Sequence, residues 1–282
     1  MVRVGPRQSR NVRSRRAIGA IAFVVCAAGL TALAVVVAPA RDDLPATPRV
    51  HAAPASTSPV ASTTAPTTTV APTTTTVGVV KPTPVPIDMS TQSAPVFSRI
   101  PTTDPVVFLT IDDGIVQDPA VVDYLREQNI PVTLFPVPAY VDQNEPYFQA
   151  IHALGATVQD HTVHHTDLTK LSSANQRAEI CGPLDEYQQK FGVRPWIFRP
   201  PYGAMNANVA YAARSCGIRA IVLWKAATND GRVDTQGGPL QPGDIVLMHF
   251  RTDLRHNLEV VLGQIRALGL RPAFLSDYLT PG

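Results

Sequence analysis

The chain has 282 residues and a formal charge of +2, room for one large domain or two small ones, but its composition is not uniform. Residues 1–95 hold 9 Lys+Arg against 3 Asp+Glu, whereas residues 96–282 hold 15 against 19. The basic excess therefore belongs to the N-terminal part, and the larger, acidic part gives no electrostatic footprint for nucleic acid.

Residues 1–16 carry six arginines and no acid, which marks a basic cytoplasmic tail. Residues 17–40, AIGAIAFVVCAAGLTALAVVVAPA, have no charged side chain. As a helix they rise roughly 36 Å, enough to cross a hydrocarbon core of about 30 Å. Their length favours a retained single-pass anchor with the rest of the chain outside the cytoplasm. Ala38-Pro39-Ala40 offers the small residues of a cleavage site, so secretion after signal cleavage is the alternative. Residues 41–95 are rich in Pro, Thr, Ala, Ser and Val, too poor in large apolar groups to offset their ordering entropy, and read as a disordered stalk.

Residues 96–282 read as one globular domain. VVFLTI (106–111) is a buried strand, and Asp118 caps a helix over 119–128. VTLFPV (132–137) is a strand, YFQAIHAL (147–154) a helix, and ATVQD (156–160) a short strand. A helix over 173–191 is expected to kink or break at Gly182-Pro183. WIFRP (196–200), a helix over 206–216, RAIVLW (219–224), DIVLMHF (244–250), a helix from about Arg255 to Leu268 and a strand near 272–275 follow. Repeated strand-then-helix units imply an α/β domain with a parallel sheet, open or closed into a barrel, whose function gathers at the carboxyl ends of strands.

The unusual polar residues lie at those ends. Asp112 and Asp113 finish the first strand, and two adjacent like charges there need cations nearby. DHTVHH (160–165) places His161 and His165 four apart, a spacing that on a helical turn brings both rings to one metal. With a carboxylate they make a two-histidine, one-carboxylate site suited to Zn²⁺ or a similar ion. Taken alone, the same residues read more readily as surface histidines beginning a helix. FRPPYG (198–203) supplies Arg199, a permanent charge able to hold a neighbouring aspartate ionised, or else a simple turn with a surface ion pair. His249 ends the IVLMH strand, where an isolated histidine is more often a core residue than a catalyst. Cys181 and Cys216 can pair in an exported domain or remain lone buried thiols.

TIDDG, HTVHH, RPPYG and LMH, in this order and at strand ends, resemble the motifs of the polysaccharide deacetylase family (carbohydrate esterase family four) over about residues 104–280. The resemblance implies a distorted (β/α) barrel with about seven strands. It implies Asp112 as general base, and Asp113, His161 and His165 as ligands of a divalent metal, Zn²⁺ foremost and Co²⁺ as an alternative. It further implies Arg199 orienting the base, the Tyr202 N–H holding an oxyanion, and His249 as general acid. His164 falls between the ligand positions. Two departures stand out, and the smaller is TIDDGI (110–115) in place of T-F-D-D-G-P, which changes packing under the site but no reacting group. Where relatives read W-x-x-D-x-x-D-W, this chain reads WKAATNDG (224–231), with Ala227 at the position of the aspartate that braces the acid and Gly231 replacing the tryptophan. Asp230 is then the expected support of His249.

The expected function is removal of acetyl groups from an N-acetylated glycan, peptidoglycan being the polymer next to a membrane-anchored catalyst. The alternatives are O-acetylated xylan or chitin oligomers, hydrolysis of small cyclic amides, and a non-catalytic glycan-binding domain. The expected partners are the glycan and, through residues 17–40, the membrane, with a monomer as the default state.

Overall fold

The computed structural model describes residues 82–280. The basic tail (1–16), the apolar segment (17–40) and residues 41–81 of the expected stalk lie outside the described residues. Among the described residues, no helix is long and apolar enough to cross a membrane.

Two short strands, β1 (Val85–Pro86) and β2 (Val96–Phe97), precede β3 (Val106–Asp113), α1 (Pro119–Glu127), β4 (Val132–Pro136), α2 (Pro138–Gln143) and α3 (Glu145–His152). Next come β5 (Thr157–Val158), α4 (Ser173–Phe191), β6 (Ile197–Phe198), α5 (Ala207–Ser215) and β7 (Ala220–Val222). The chain finishes with the hairpin β8 (Ala226–Asn229) and β9 (Arg232–Thr235), then β10 (Ile245–His249), α6 (Leu254–Ala267), β11 (Arg271–Pro272), α7 (Leu275–Tyr278) and β12 (Leu279–Thr280).

The main sheet runs β5-β4-β3-β10-β8-β9, with β11 on the start of β3, and is parallel except for β9. β3 is buried along its whole length, and its two-residue period divides the core. Val107, Leu109 and Ile111 pack with Val121 and Leu125 of α1, Phe148 and Ile151 of α3, and Leu258 and Val261 of α6. Val106 and Phe108 pack on the opposite side with Phe135, Ile197 and Val222. Thr110 and Asp112 share that second face, so the alternation itself delivers one carboxylate to the interior.

The expectation of a distorted barrel with about seven strands is met in part: the fold is α/β, and among the described residues no continuous closed barrel is formed. β6 and β7 join a separate sheet of order β2-β7-β6, and β5 continues toward β6 only through the Asp160–Phe198 bridge. β2 pairs along β7 at Val96–Ile221 and Phe97–Val222, and the Arg99–Asp244 bridge links the residues after β2 to the start of β10. Pro200 and Pro201, lacking N–H groups, end β6 after two residues.

The stalk ends earlier than expected. β1 pairs with β12, Ile87 and Ala94 are buried, and the Ala94 N–H donates to the Ala210 carbonyl, so residues 82–95 are part of the domain. A second correction concerns α4, which runs unbroken through Gly182-Pro183 from its Ser172 cap to left-handed Gly192. A third is near 272–275, where the expected strand is β11 followed by the short α7. The helix α2 and the β8–β9 hairpin were not anticipated; the hairpin's ATN-DG-RV pattern has too little apolar alternation to announce itself.

Candidate active site

Arg199 organises the centre. Its side chain is fully buried, and its Nη1 donates to Asp112 Oδ1 and to Thr110 Oγ1, both at 2.7 Å. The guanidinium lies 4.5 Å from the centroid of the Phe135 ring, and weaker bonds at 3.4 Å reach the carbonyls of Val222 and Leu223. Burial lowers the Arg199 pKa, and the Asp112 carboxylate opposes that shift. The pair is thus mutually required: Asp112 is 2% exposed and would otherwise be a stranded charge. Only Oδ1 of Asp112 is used by Arg199, leaving Oδ2 for other chemistry.

Asp113 turns away at a φ of 75°, which swings its carboxylate to the rim of the sheet beside two imidazoles. Its Oδ1 lies 3.6 Å from His161 Nε2 and 3.3 Å from His165 Nε2, and is buried without a hydrogen-bond partner. His161 Nδ1 lies 2.7 Å from the Arg199 carbonyl, an acceptor only, so Nδ1 carries a proton and Nε2 is the atom turned toward Asp113. One ligand atom from each of Asp113, His161 and His165 lies within 4.8 Å of the others, and this donor set fits a divalent cation. Burial lowers the His165 pKa, aided by nearby His161, which favours the neutral ring a cation needs. For Asp113, burial alone would raise the pKa, but His161, His249 and His165 together hold it below the ordinary carboxylate value.

The two histidines do not meet on a helical face, as their spacing predicted. Residues 160–165 form an irregular loop in which Thr162 (φ 69°) and His165 (φ 53°) are left-handed. His164 points outward, with Nδ1 2.7 Å from Glu179 Oε1.

His249 stands across the parallel register from Asp112 at the end of β10, partly exposed, in a cleft of about 370 Å³ that also exposes Tyr202, Trp224, Leu247 and Arg251. Burial lowers the His249 pKa; the Asp112 and Asp113 charges oppose this, and Arg251 adds to it. Tyr202 has a φ of 60° in the turn after Pro201, where the N–H groups of Gly203 and Ala204 close on the carbonyls of Pro200 and Pro201. Its ring packs 4.8 Å from that of His165.

Asp230 is not brought to His249. It sits in the turn after β8 at φ 48°, its N–H donating to Asp253 Oδ2. The register explains why: Ala227 lies beside Leu247, and Asp230 falls past the strand's end. A charged neighbour on this flank is Arg251, which donates to Asn229 Oδ1 at 3.3 Å. Cys181 and Cys216 are joined in a disulfide. Sequence reasoning missed Thr110 and Phe135, the supports of Arg199. Their signal was present, since Thr110 interrupts an apolar strand two residues before Asp112, on the same face.

A buried aspartate braced by arginine, beside a two-histidine, one-carboxylate centre at strand ends, defines a hydrolytic class of site on an α/β sheet. The polysaccharide deacetylase family model matches residues 99–221. An uncharacterized protein of Streptomyces coelicolor is 41% identical over 204 residues, 68% of this chain and 80% of that protein. A peptidoglycan-N-acetylglucosamine deacetylase of Listeria monocytogenes is 29% identical over 177 residues, 59% of this chain but 37% of that longer protein. Among solved structures, a carbohydrate esterase family four pseudoenzyme from Bacillus anthracis has a TM-score of 0.59 at 19% identity, covering 67% of this chain and 70% of that one, a likeness of fold. The chain belongs to the polysaccharide deacetylase family, hydrolases acting on acetylated polysaccharides.

Proposed function

We propose that this protein removes acetyl groups from the amino sugars of peptidoglycan, with a divalent metal held by Asp113, His161 and His165. The observation that carries the reading is the unpartnered Asp113 Oδ1 clustered with His161 Nε2 and His165 Nε2, directly beside the Arg199-braced Asp112. When bound, the cation would act as Lewis acid toward the acetyl carbonyl and acidify water. Asp112 Oδ2 accepts the proton of the attacking water while Arg199 keeps the carboxylate oriented. The Tyr202 N–H, set by its left-handed backbone, donates to the developing oxyanion. His249 protonates the departing amine, and acetate leaves. Ala227 has no carboxylate and Asp230 lies in the turn past β8, so neither of these positions braces His249.

Peptidoglycan is supported by the Listeria relative and by a basic segment followed by an uncharged one at residues 1–40, which favours an anchored enzyme outside the cytoplasm. The Cys181–Cys216 disulfide supports an oxidising compartment. Incubating the full chain with acetylated peptidoglycan, with and without chelator, should release acetate only when metal is present, and an Asp112→Asn variant should release none. Acetate release that survives chelation removes the metal reading. Binding of glycan with no release by any metal-loaded sample supports the non-catalytic alternative, which the pseudoenzyme fold likeness keeps in play.

A further inference from the structure

The loop carrying His161 and His165 has a costly backbone. Thr162 is β-branched and left-handed, and His165 is left-handed too, so the conformation persists only if its surroundings over-determine it. Every N–H from Thr162 to His165 is engaged. Thr162 donates to Asp160 Oδ1 at 3.0 Å and His165 to Thr162 Oγ1 at 3.1 Å, both within the loop. The two between them go to a single residue of α4. Val163 donates to the Glu179 carbonyl at 3.1 Å, and His164 to Glu179 Oε2 at 2.9 Å, while Glu179 Oε1 takes the His164 ring.

A mid-helix carbonyl is ordinarily consumed by the N–H four residues on. For Glu179 that residue is Pro183, which has none, so the helix leaves this one acceptor free for the loop. Gly182 supplies the room: a Cβ there would stand 2.4 Å from Val163 Cγ2. Glu179, Gly182 and Pro183 thus contribute a charge, a space and a released acceptor on one turn. The Cys181–Cys216 disulfide ties that turn to the end of α5.

We propose that Glu179, with Gly182 and Pro183, is the positioning unit for the metal-ligand loop, so that α4 sets the angle between His161 and His165. This rests on the reading of Asp113, His161 and His165 as ligands. Co²⁺ titration of the full chain, followed by visible d–d absorbance, tests it without any activity readout. Glu179→Ala should weaken Co²⁺ binding by about 10- to 100-fold and alter the band shape, as loss of a ligand's supporting partner does. Glu179→Gln, which keeps one acceptor, should recover part of that. Pro183→Ala gives the sharper discrimination. It restores an N–H that competes for the Glu179 carbonyl and also raises helix propensity, so a merely structural role predicts higher thermal stability with unchanged affinity. The positioning role predicts several-fold weaker Co²⁺ binding without loss of metal-free stability. Affinity within threefold of the parent in either Glu179→Ala or Pro183→Ala overturns the proposal. A parent chain that takes up no Co²⁺ overturns it together with the ligand assignment. Acetate release plays no part in the measurement, so failure of the deacetylase reading alone leaves the meaning of the Co²⁺ affinities unchanged.

Discussion

Replacing Arg199 with methionine tests the central ion pair. Methionine keeps much of the length and can still lie against Phe135, and Thr110 Oγ1 keeps its bond to the Val246 carbonyl. What is lost is the guanidinium hydrogen-bonded to Asp112, whose side chain is 3% exposed. Stranding a buried charge in this way costs about 3–5 kcal/mol. In a domain of this size that corresponds to a fall in Tm of about 6–20 °C at neutral pH. An Asp112→Asn/Arg199→Met double variant, with neither charge, should recover about 1–3 kcal/mol. Urea unfolding of the parent, Arg199→Met, Asp112→Asn and the double variant at neutral pH provides the assay. A loss under about 1 kcal/mol for Arg199→Met refutes the claim that each buried charge requires the other.

Three further outcomes are expected. Burial lowers His165 and His249 from their ordinary 6.5, so on acidification the unfolded chain binds protons that the native state refuses. Stability contributed by the neutral rings is therefore present above about pH 6.5 and lost as pH falls, and the metal-free Tm should drop between neutral pH and about pH 5; a rise contradicts the assignment. The disulfide spans a sequence separation of 35, so the Cys181→Ser/Cys216→Ser variant should lose about 4 kcal/mol by chain entropy, read by urea unfolding, and a loss below about 1 kcal/mol counts against it. Gly243 has a φ of 84°, and a Cβ there would lie 2.0 Å from the Ile100 carbonyl oxygen. Gly243→Ala should therefore cost more than about 1 kcal/mol in the same assay, and an unchanged midpoint would show that the strand edge can shift.

By itself the sequence determined which main strands are buried, that Asp118 caps a helix, and which charged residues sit at strand ends. Those features depend on local periodicity and side-chain chemistry, as the Asp118 cap and the buried run of β3 ending in Asp112 and Asp113 show. It also named Asp112, Asp113, His161, His165, Arg199 and His249, which the fold brings to one rim. Only the tertiary structure decided how the histidines converge, because left-handed Thr162 and His165 are sustained by partners such as Glu179 that lie far along the chain. The same is true of α4, whose proline is accommodated because a distant loop takes up the freed carbonyl. The placement of β2 beside β7 likewise depends on pairing between residues far apart in the chain. Asp230 illustrates the complement: the family resemblance suggested it as a support for His249, whereas strand register places it in a turn with its N–H on Asp253. Local preferences set the elements, and long-range pairing set the angles between the groups that react.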